Sequence, residues 1–353
     1  MKQLFLIFIL LVAEVAFAQP KQDDVNLPEN AMPVGKDNIL KSKKYFNWGT
    51  SIVKTDDGKY HLFYARWKKK YQHMGWLTHC EVAHAISDSP AGSWKYKNTA
   101  LSGRRGDHWD AITAHNPKIK YFEGKYYLYY ISTNMGDKAI SEEELFQTAQ
   151  IGGKSPNWGI LRVNQRTGVA VSNSINGPWK RMDQPLIEPS GSIANVTVNP
   201  AIARGKDEKY YLIVKGDKPN QNDFIRDQAI AISDTPVGPF EMQQKPVIDY
   251  VDTEDVSMWY DYKRERFYAI FHAVGFIGLV TSTNGIDWQK AKHYKQMDKV
   301  VKMKDGSIFQ PDRLERPFVF IENGIPTVLS FAVRKNNESY SLFIPLKNEI
   351  LQE

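Results

Sequence analysis

The chain has 353 residues, with 46 Lys and Arg against 40 Asp and Glu, and a formal net charge of +6. This length is sufficient for one large domain with its own hydrophobic core. The single cysteine, Cys80, excludes a fold that depends on internal disulfide bonds, and the mildly basic balance is compatible with an anionic partner or with ordinary solubility.

The first 18 residues have the pattern of a secretory signal peptide. Lys2 is followed by the apolar run LFLIFILLVAEVAFA, which ends in the small-x-small sequence AFA at residues 16–18. The run contains Glu14 and is short for a membrane span, and no later stretch approaches about 18 consecutive apolar residues. We therefore expect cleavage before Gln19, export to the periplasm or the extracellular space, and no membrane insertion after cleavage.

Residues 19–45 contain several prolines and many polar side chains. This composition predicts an N-terminal arm that wraps the domain or is partly disordered. The remaining residues, 46–353, are predicted to form one folded domain.

A hairpin pattern recurs five times in that domain. Each copy has a polar tip, an alternating strand, a tight turn and a second aromatic-rich strand, as in HNPKIKYFEGKYYLYY at residues 115–130. The residues that leave the five turns are Tyr60, Tyr126, Tyr210, Phe267 and Pro326. They lie 66, 84, 57 and 59 residues apart, which suits one four-stranded propeller blade per repeat.

A second recurring unit lies between these hairpins. A strand of small residues passes through a Ser, Asp, Asn, Pro or Gly turn into a strand that opens on Trp94, Trp179, Phe240 or Trp288. Because these aromatic residues repeat at one blade position, we expect them to be packing residues. The predicted fold is all-β, a five-bladed β-propeller with four-stranded antiparallel blades. Residues 134–158 break the strand rhythm and are compatible with one short helix.

The innermost strands of a propeller run along its axis, so their tips converge at one mouth of the channel. The polar and aromatic residues at the tips are Asn47, Trp48, Thr50, His115, Asn116, Asn199, Glu254, Asp255, Glu315 and Arg316. Trp109 and Asp110, in the sequence DHWDAITA, come just before the second tip.

Four acids are candidates for acid and base chemistry: Glu254, Asp255, Glu315 and Asp110. Hydrolysis of a glycosidic bond needs one protonated and one ionised carboxyl group, and crowding of carboxylates raises the pKa of at least one of them. Arg316 is placed to hold Glu315 ionised or to bind an anionic sugar. The alternative for each acid is a structural hydrogen bond or, for Glu315, an ion pair with Arg316.

Histidines and tryptophans supply further candidates. His115 is expected to be an acid, a substrate ligand or, with His84, His108 and carboxylates, a metal ligand, and the alternative is a bond to its neighbour's backbone. His84 lies inside an alternating strand and faces either the channel or a satisfied core. Zinc and GxSxG motifs are absent from the sequence. The tryptophans expected to stack on sugar rings are Trp48, Trp76, Trp109 and Trp259.

These motifs together resemble the five-bladed β-propeller glycoside hydrolases, the superfamily that includes families 43, 32, 62, 68, 117 and 130. The resemblance covers residues 47–347 and rests on the hairpins DGKYHLFYAR and FEGKYYLYYIS, on the turns SDSPAGSW, INGPW and SDTPVGPF, and on the tips HNP, VNP, ED and ERP.

Family 43 members carry an aspartate base at the first tip, a second aspartate at the third and a glutamate acid at the fourth. Glu254 matches the fourth tip, whereas the first tip, NWGT, has no acid and the third has Asn199. The pattern looks more like the family 117-like branch, which has a WGxS first tip and an HNP second tip. A histidine is implicated as the acid in that branch, which keeps His115 and His272 open for the role.

The resemblance implies an exported, exo-acting glycoside hydrolase that cleaves a terminal sugar in an axial pocket of the domain formed by residues 46–353. Glu254 or Glu315 is the expected acid and Asp255 or Asp110 the expected base. The substrate is expected to contact Trp48, Thr50, His84, Trp109, His115, Asn116, Asn199, His272 and Arg316.

Other outcomes stay open. A carbohydrate-binding propeller without catalysis, and a lyase or phosphorylase on the same scaffold, are the alternatives to hydrolysis. The partner is an oligosaccharide or polysaccharide, neutral or anionic, and no nucleic-acid partner is expected. No cofactor is expected to be required, while a channel-bound Ca²⁺ or other divalent ion and the oligomeric state are left open.

Overall fold

The computed structural model of the protein describes residues 22–221 and 225–347. The expected signal peptide, residues 1–18, lies outside the described residues. Within the described part of the chain, no helix is both long enough and apolar enough to cross a bilayer.

The described residues form five four-stranded antiparallel sheets, the blades of a propeller, which confirms the predicted fold class. A short strand, β1 (Ile39–Leu40), comes first. Blade one contains β2 (Tyr45–Lys54), β3 (Tyr60–Lys68), β4 (Glu81–Ser87) and β5 (Lys95–Leu101). Blade two contains β6 (His115–Phe122), β7 (Lys125–Ser132), β8 (Arg166–Ser172) and β9 (Lys180–Arg181).

Blade three contains β10 (Ala194–Arg204), β11 (Tyr210–Asp217), β12 (Arg226–Ser233) and β13 (Glu241–Ile248). Blade four contains β14 (Thr253–Asp261), β15 (Arg266–Ala273), β16 (Phe276–Ser282) and β17 (Gln289–Asp298). A small hairpin of β18 (Val301–Lys302) and β19 (Ile308–Phe309) follows. Blade five contains β20 (Arg313–Glu322), β21 (Ile325–Lys335), β22 (Glu338–Pro345) and, as its outer strand, β1.

The N-terminal segment closes the ring of blades. Strand β1 pairs with β22 in the register Ile39 with Leu342 and Leu40 with Ser341. Val25, Leu27 and Val34 pack into the hydrophobic cluster that blades four and five share. Because the first strand completes the last blade, the two ends of the described chain hold each other in place.

Apolar side chains fill the spaces between neighbouring blades. Trp94, Trp179 and Trp288 each pack against one of these clusters, as their repetition predicts. Trp259, expected at the rim, lies in a cluster as well and stacks on Tyr268. The core therefore lies between the blades, and the axis is left to polar side chains.

Each innermost strand carries a β-bulge at the same place, where its register with the next strand shifts. One residue of each bulge has a left-handed backbone, with φ between 52° and 58°. These five residues, which we call the axial ring, are Gly49, Asn116, Asn199, Asp255 and Arg316. We call the residues directly before them the tip residues: Trp48, His115, Val198, Glu254 and Glu315. A bulge redirects side chains, which here brings both sets to the mouth of the channel.

Two insertions stand above this mouth. Residues 69–80 of blade one form two 3-10 turns, Lys69–Tyr71 and His73–Leu77. Blade two contains two helices where the sequence suggested one: α1 (Glu142–Ile151) and α2 (Pro156–Val163). The second helix forms because Ser155 accepts a hydrogen bond from the backbone N–H of Asn157 and proline occupies the first helical position.

Candidate functional site

The axial ring is linked by polar contacts across the channel. Asn116 Nδ2 donates to Asn199 Oδ1 at 2.9 Å, and Arg316 Nη2 donates to the same oxygen at 3.3 Å. Arg316 also pairs with Asp255 Oδ1 at 3.0 Å. A Cβ on Gly49 would lie 2.9 Å from Arg316 Cδ. The Arg316 side chain therefore passes where a side chain at position 49 would lie.

A cavity of about 280 Å³ lies directly against this ring. Its lining includes the four side chains of the axial ring and all five tip residues. The structure thus brings together nine of the residues predicted from the sequence: Trp48, Trp76, His115, Asn116, Asn199, Glu254, Asp255, Glu315 and Arg316.

The two insertions and one strand of blade one complete the wall with aromatic residues. Trp67, Trp76 and Trp158 line the cavity together with Trp48. The rings of Trp76 and Trp158 meet edge to face, with centroids 5.7 Å apart, and Trp76 lies 5.5 Å from the His115 ring. Flat indole faces of this kind offer apolar surfaces to the CH groups of a sugar ring.

Two basic side chains contact Glu254. Lys215 Nζ, from β11, lies 2.9 Å from Glu254 Oε2, and Arg226, from β12, pairs with the other carboxylate oxygen. Burial lowers the pKa of Lys215 to about 7, while the Asp255 carboxylate acts in the opposite direction. Both cations favour an ionised Glu254.

Asp255 is buried between two partners. Arg316 lies 3.0 Å from one carboxylate oxygen, and His272 Nδ1 lies 3.3 Å from the other. Burial acts to raise the pKa of Asp255, but the charges of Arg316, His272 and Lys215 outweigh it and the pKa is lowered. Asp255 is therefore an ionised anchor for its neighbours.

Glu315 has a looser environment than the other two acids. Its one ion-pair contact in the described part of the chain is Arg313, at 3.8 Å, and its side chain is 20% exposed. Of the three carboxylates in the cavity, Glu315 is the least constrained by cations.

His115 is held neutral at the wall of the cavity. Burial and the charge of Arg316 lower its pKa to about 3. Its Nε2 atom is buried and has no hydrogen-bond partner among the described residues. A neutral imidazole with one free nitrogen is suited to bind a hydroxyl group.

The structure places four predicted site residues away from the cavity. Asp110 is fully buried, pairs with Arg104 and Arg181 and accepts a hydrogen bond from Tyr130. Trp109 stacks on Tyr130, and its Nε1 donates to the carbonyl of Met182. The sequence stretch that holds both residues thus turns into the interface of blades one and two.

Thr50 and His84 also lie outside the cavity lining and make contacts within the fold. Thr50 shares a hydrogen bond of 2.6 Å with Ser330, between blades one and five. His84 stacks on Phe63 and lies 2.8 Å from His61, and burial lowers its pKa to about 3. His272 contacts Asp255 but faces a neighbouring cavity.

Several cavity residues were not predicted from the sequence. They are Trp67, His73, Trp158, Arg162, Lys215 and Arg313. The sequence contained one indication of Lys215, a charged residue within the otherwise apolar strand YYLIVKG. Among the described residues, no group of three or more His, Cys, Asp or Glu side chains is arranged to hold a metal ion.

Comparison with solved structures finds the same architecture in several proteins. The chain is similar to a family 117 glycoside hydrolase produced by the marine bacterium Zobellia galactanivorans, with a TM-score of 0.57 and 18% identity over 85% of this chain and 84% of that chain. An endo-arabinase from Bacteroides thetaiotaomicron aligns with a TM-score of 0.56 and 13% identity over 89% of this chain and 99% of that chain.

An α-L-arabinofuranosidase from Lactobacillus brevis gives a TM-score of 0.55 and 13% identity over 92% of this chain and 95% of that chain. No family model matches the sequence, and no curated protein matches it. The likeness is therefore one of structure, at low sequence identity. The chain has the five-bladed β-propeller fold that it shares with these glycoside hydrolases.

Proposed function

We propose that the protein is a glycoside hydrolase that removes a terminal sugar from an oligosaccharide or polysaccharide. The observation that carries the proposal is the meeting of Glu254 and Glu315, from neighbouring blades, in one cavity whose wall holds four tryptophans. Two carboxyl groups beside a sugar-stacking surface are the minimum equipment for glycoside hydrolysis. The glycoside hydrolases of the same fold support this reading.

The cationic neighbours divide the roles of the two carboxylates. Lys215 and Arg226 lie at ion-pair distance from Glu254 and favour its ionised form, whereas the one ion pair of Glu315 among the described residues is the longer one with Arg313, at 3.8 Å. We assign Glu315 to protonate the glycosidic oxygen as the C–O bond breaks. In one course Glu254 takes the proton of the water that attacks the anomeric carbon. In the other Glu254 attacks that carbon itself, and water deprotonated by Glu315 then cleaves the resulting glycosyl ester; NMR detection of the first anomer released separates the two courses.

The other polar residues of the cavity bind and position. Asp255 holds Arg316 and His272, and Asn116, Asn199 and His115 offer donors and acceptors to sugar hydroxyls. The buried side chains of the axial ring lie across the channel. A sugar chain therefore enters from the outer mouth, and only its end reaches the two carboxylates, which is the basis for proposing exo action.

The experiment is a product screen on marine and plant oligosaccharides with the wild type, Glu254→Gln and Glu315→Gln. Each substitution should reduce turnover by a factor of about 10²–10⁴, because each removes one half of the acid and base pair. Glu322→Gln is the matched control, since Glu322 lies at the far end of the same strand as Glu315. Turnover at the wild-type rate in both Gln variants would contradict the assignment.

A carbohydrate-binding propeller without catalysis is the second candidate. Two observations favour it: the first tip offers Trp48 and Gly49 in place of an acid, and every carboxylate in the cavity has a cationic neighbour. Calorimetry beside long-incubation product analysis separates the two candidates. Binding without any product supports the second, and the same analysis detects the unsaturated product of a lyase or a phosphate requirement.

We also propose that the protein is exported. The support is the signal-peptide pattern of residues 1–18. Mass spectrometry of the protein expressed with its full N-terminus should find a mature chain that begins at Gln19 in the exported fraction. An uncleaved chain confined to the cytoplasm contradicts the proposal.

A further inference from the structure

A second cavity adjoins the first one. It also has a volume of about 280 Å³, and it shares Glu254, Arg313 and Glu315 with the first. The two proposed catalytic carboxylates therefore border both cavities. A bond positioned for cleavage at this shared wall has one sugar in each cavity.

The two cavities differ in chemistry. The first has its four tryptophans and is bounded by the axial ring. The second has no Trp, Tyr or Phe among its described lining residues; apart from Thr253, Ala273 and Val274, its lining is charged residues and His272. Stacking on indole faces suits the terminal sugar, so the second cavity is left for the sugar that follows it.

We infer that the second cavity binds the leaving-group sugar and that this sugar is acidic, carrying a carboxylate or a sulfate. The inference rests on the proposed function, and it names the substrate class for that same site. It concerns the sugar on the far side of the cleaved bond, whose recognition would select the polysaccharide.

The charges of the second cavity carry this inference. Three cations, Arg226, Lys299 and Arg313, face three carboxylates, Asp252, Glu254 and Glu315. Arg226 is occupied by Asp252 and Glu254. Glu315 lies 3.8 Å from Arg313 and lines the same cavity as Lys299, whose charge it favours together with Asp255.

The catalytic cycle removes that shared counter-charge. When Glu315 carries the proton that it donates to the glycosidic oxygen, Lys299 and Arg313 lose the favourable charge of that carboxylate. The charge of the half-buried Lys299 is costly without a nearby anion, whereas Arg313 is exposed to solvent, and a negative group on the bound sugar replaces the missing charge at Lys299. Lys299 is half-buried, at the wall of the cavity, where such a group would lie.

The test compares matched pairs of oligosaccharides on the full-length mature protein. One pair is a set of uronate oligosaccharides and the same set after carboxyl reduction. The other pair is a set of sulfated oligosaccharides and the same set after desulfation. For each pair we measure kcat/KM and, by calorimetry, Kd, with the wild type, Lys299→Gln and the control Lys302→Gln, whose side chain is exposed on the adjoining hairpin.

The wild type should prefer one acidic set over its neutral counterpart by about 10–100-fold, the equivalent of one charge-assisted hydrogen bond. Lys299→Gln should reduce that ratio about 10-fold, and Lys302→Gln should leave it unchanged. The pair that shows the preference identifies carboxylate or sulfate as the recognised group.

The two proposals fail in different ways. Equal kcat/KM and Kd for the acidic and neutral sets, or equal losses on both sets in Lys299→Gln, overturn the acidic leaving group while hydrolysis stands. A lower Kd for the acidic set without any product overturns hydrolysis and leaves the proposed binding site for an acidic sugar in place.

Discussion

Replacement of Gly49 by alanine should destabilise the protein more than the same replacement of Gly58, a left-handed glycine in open space. Gly49 has φ +56°, and a Cβ there would lie 2.9 Å from Arg316 Cδ. Arg316 is held on its other side by Asn199 and Asp255. With alanine at position 49, Arg316 therefore has to move and lose at least one of these contacts.

The expected cost has two parts. A left-handed backbone costs alanine about 1–2 kcal/mol. Displacement of Arg316 removes at least one charge-assisted hydrogen bond, which is worth about 1.5–3 kcal/mol. Together they lower the free energy of unfolding by about 2.5–5 kcal/mol. Gly58, with φ +81° and no atom within 4 Å of its Cβ position, should show the backbone part alone.

The assay is urea denaturation followed by tryptophan fluorescence for Gly49→Ala, Gly58→Ala and the wild type. Gly49→Ala is then measured again in an Arg316→Ala background. With the arginine gone, the added cost should fall to that of Gly58→Ala, because the clash no longer exists. Equal costs for the two glycines, or the same cost with and without Arg316, would show that the crossing arginine does not determine this position.

Three further predictions follow from burial and placement. Asp110→Asn should lower the free energy of unfolding by about 3 kcal/mol, measured in urea, because it leaves Arg181 without a carboxylate and Arg104 with only the exposed Asp183, while kcat/KM below the melting temperature stays within about twofold. Trp158→Ala should raise KM about 10-fold with a smaller change in kcat, whereas Trp94→Phe, in the packing between blades, should change stability and not KM. Because burial lowers the pKa of His84 from 6.5 to about 3, the unfolded chain binds more protons below pH 6.5, and stability falls as the pH falls. Urea titrations at pH 7, 6 and 5 should show a dependence of stability on pH that is smaller by up to about 1.4 kcal/mol per pH unit in His84→Gln than in the wild type.

The fold was predictable because its information is local and repeated. Each hairpin has its own turn residues and alternation, so five weak signals add to a strong one. The bulges follow the same repeat, which is why Glu254, Glu315, Asn116 and Asn199 were expected at the mouth before their φ angles were known. A residue that belongs to the sequence repeat therefore occupies an equivalent position in its blade.

Residues outside the repeat were not predictable in this way. Trp158 reaches the cavity from a helix that occurs once, and no second copy shows which way its side chain points. Asp110 lies close to the second tip along the chain. The segment before β6, however, turns between the blades, where the Asp110 carboxylate pairs with Arg104. Adjacency in sequence does not fix the direction of a connecting loop.

The absence of an acid at the first tip and the presence of one at the fifth are parts of the same arrangement. Arg316 spans the channel to Asn199 and Asp255, and it can do so only because Gly49 has no side chain. With the arginine in that place, an acid in the axial ring of blade one would occupy the same space. Glu315, directly before Arg316, instead lines both cavities together with Glu254 of the neighbouring blade. The two carboxylates proposed for hydrolysis therefore lie on blades four and five, where both also border the second cavity, proposed to bind the leaving group.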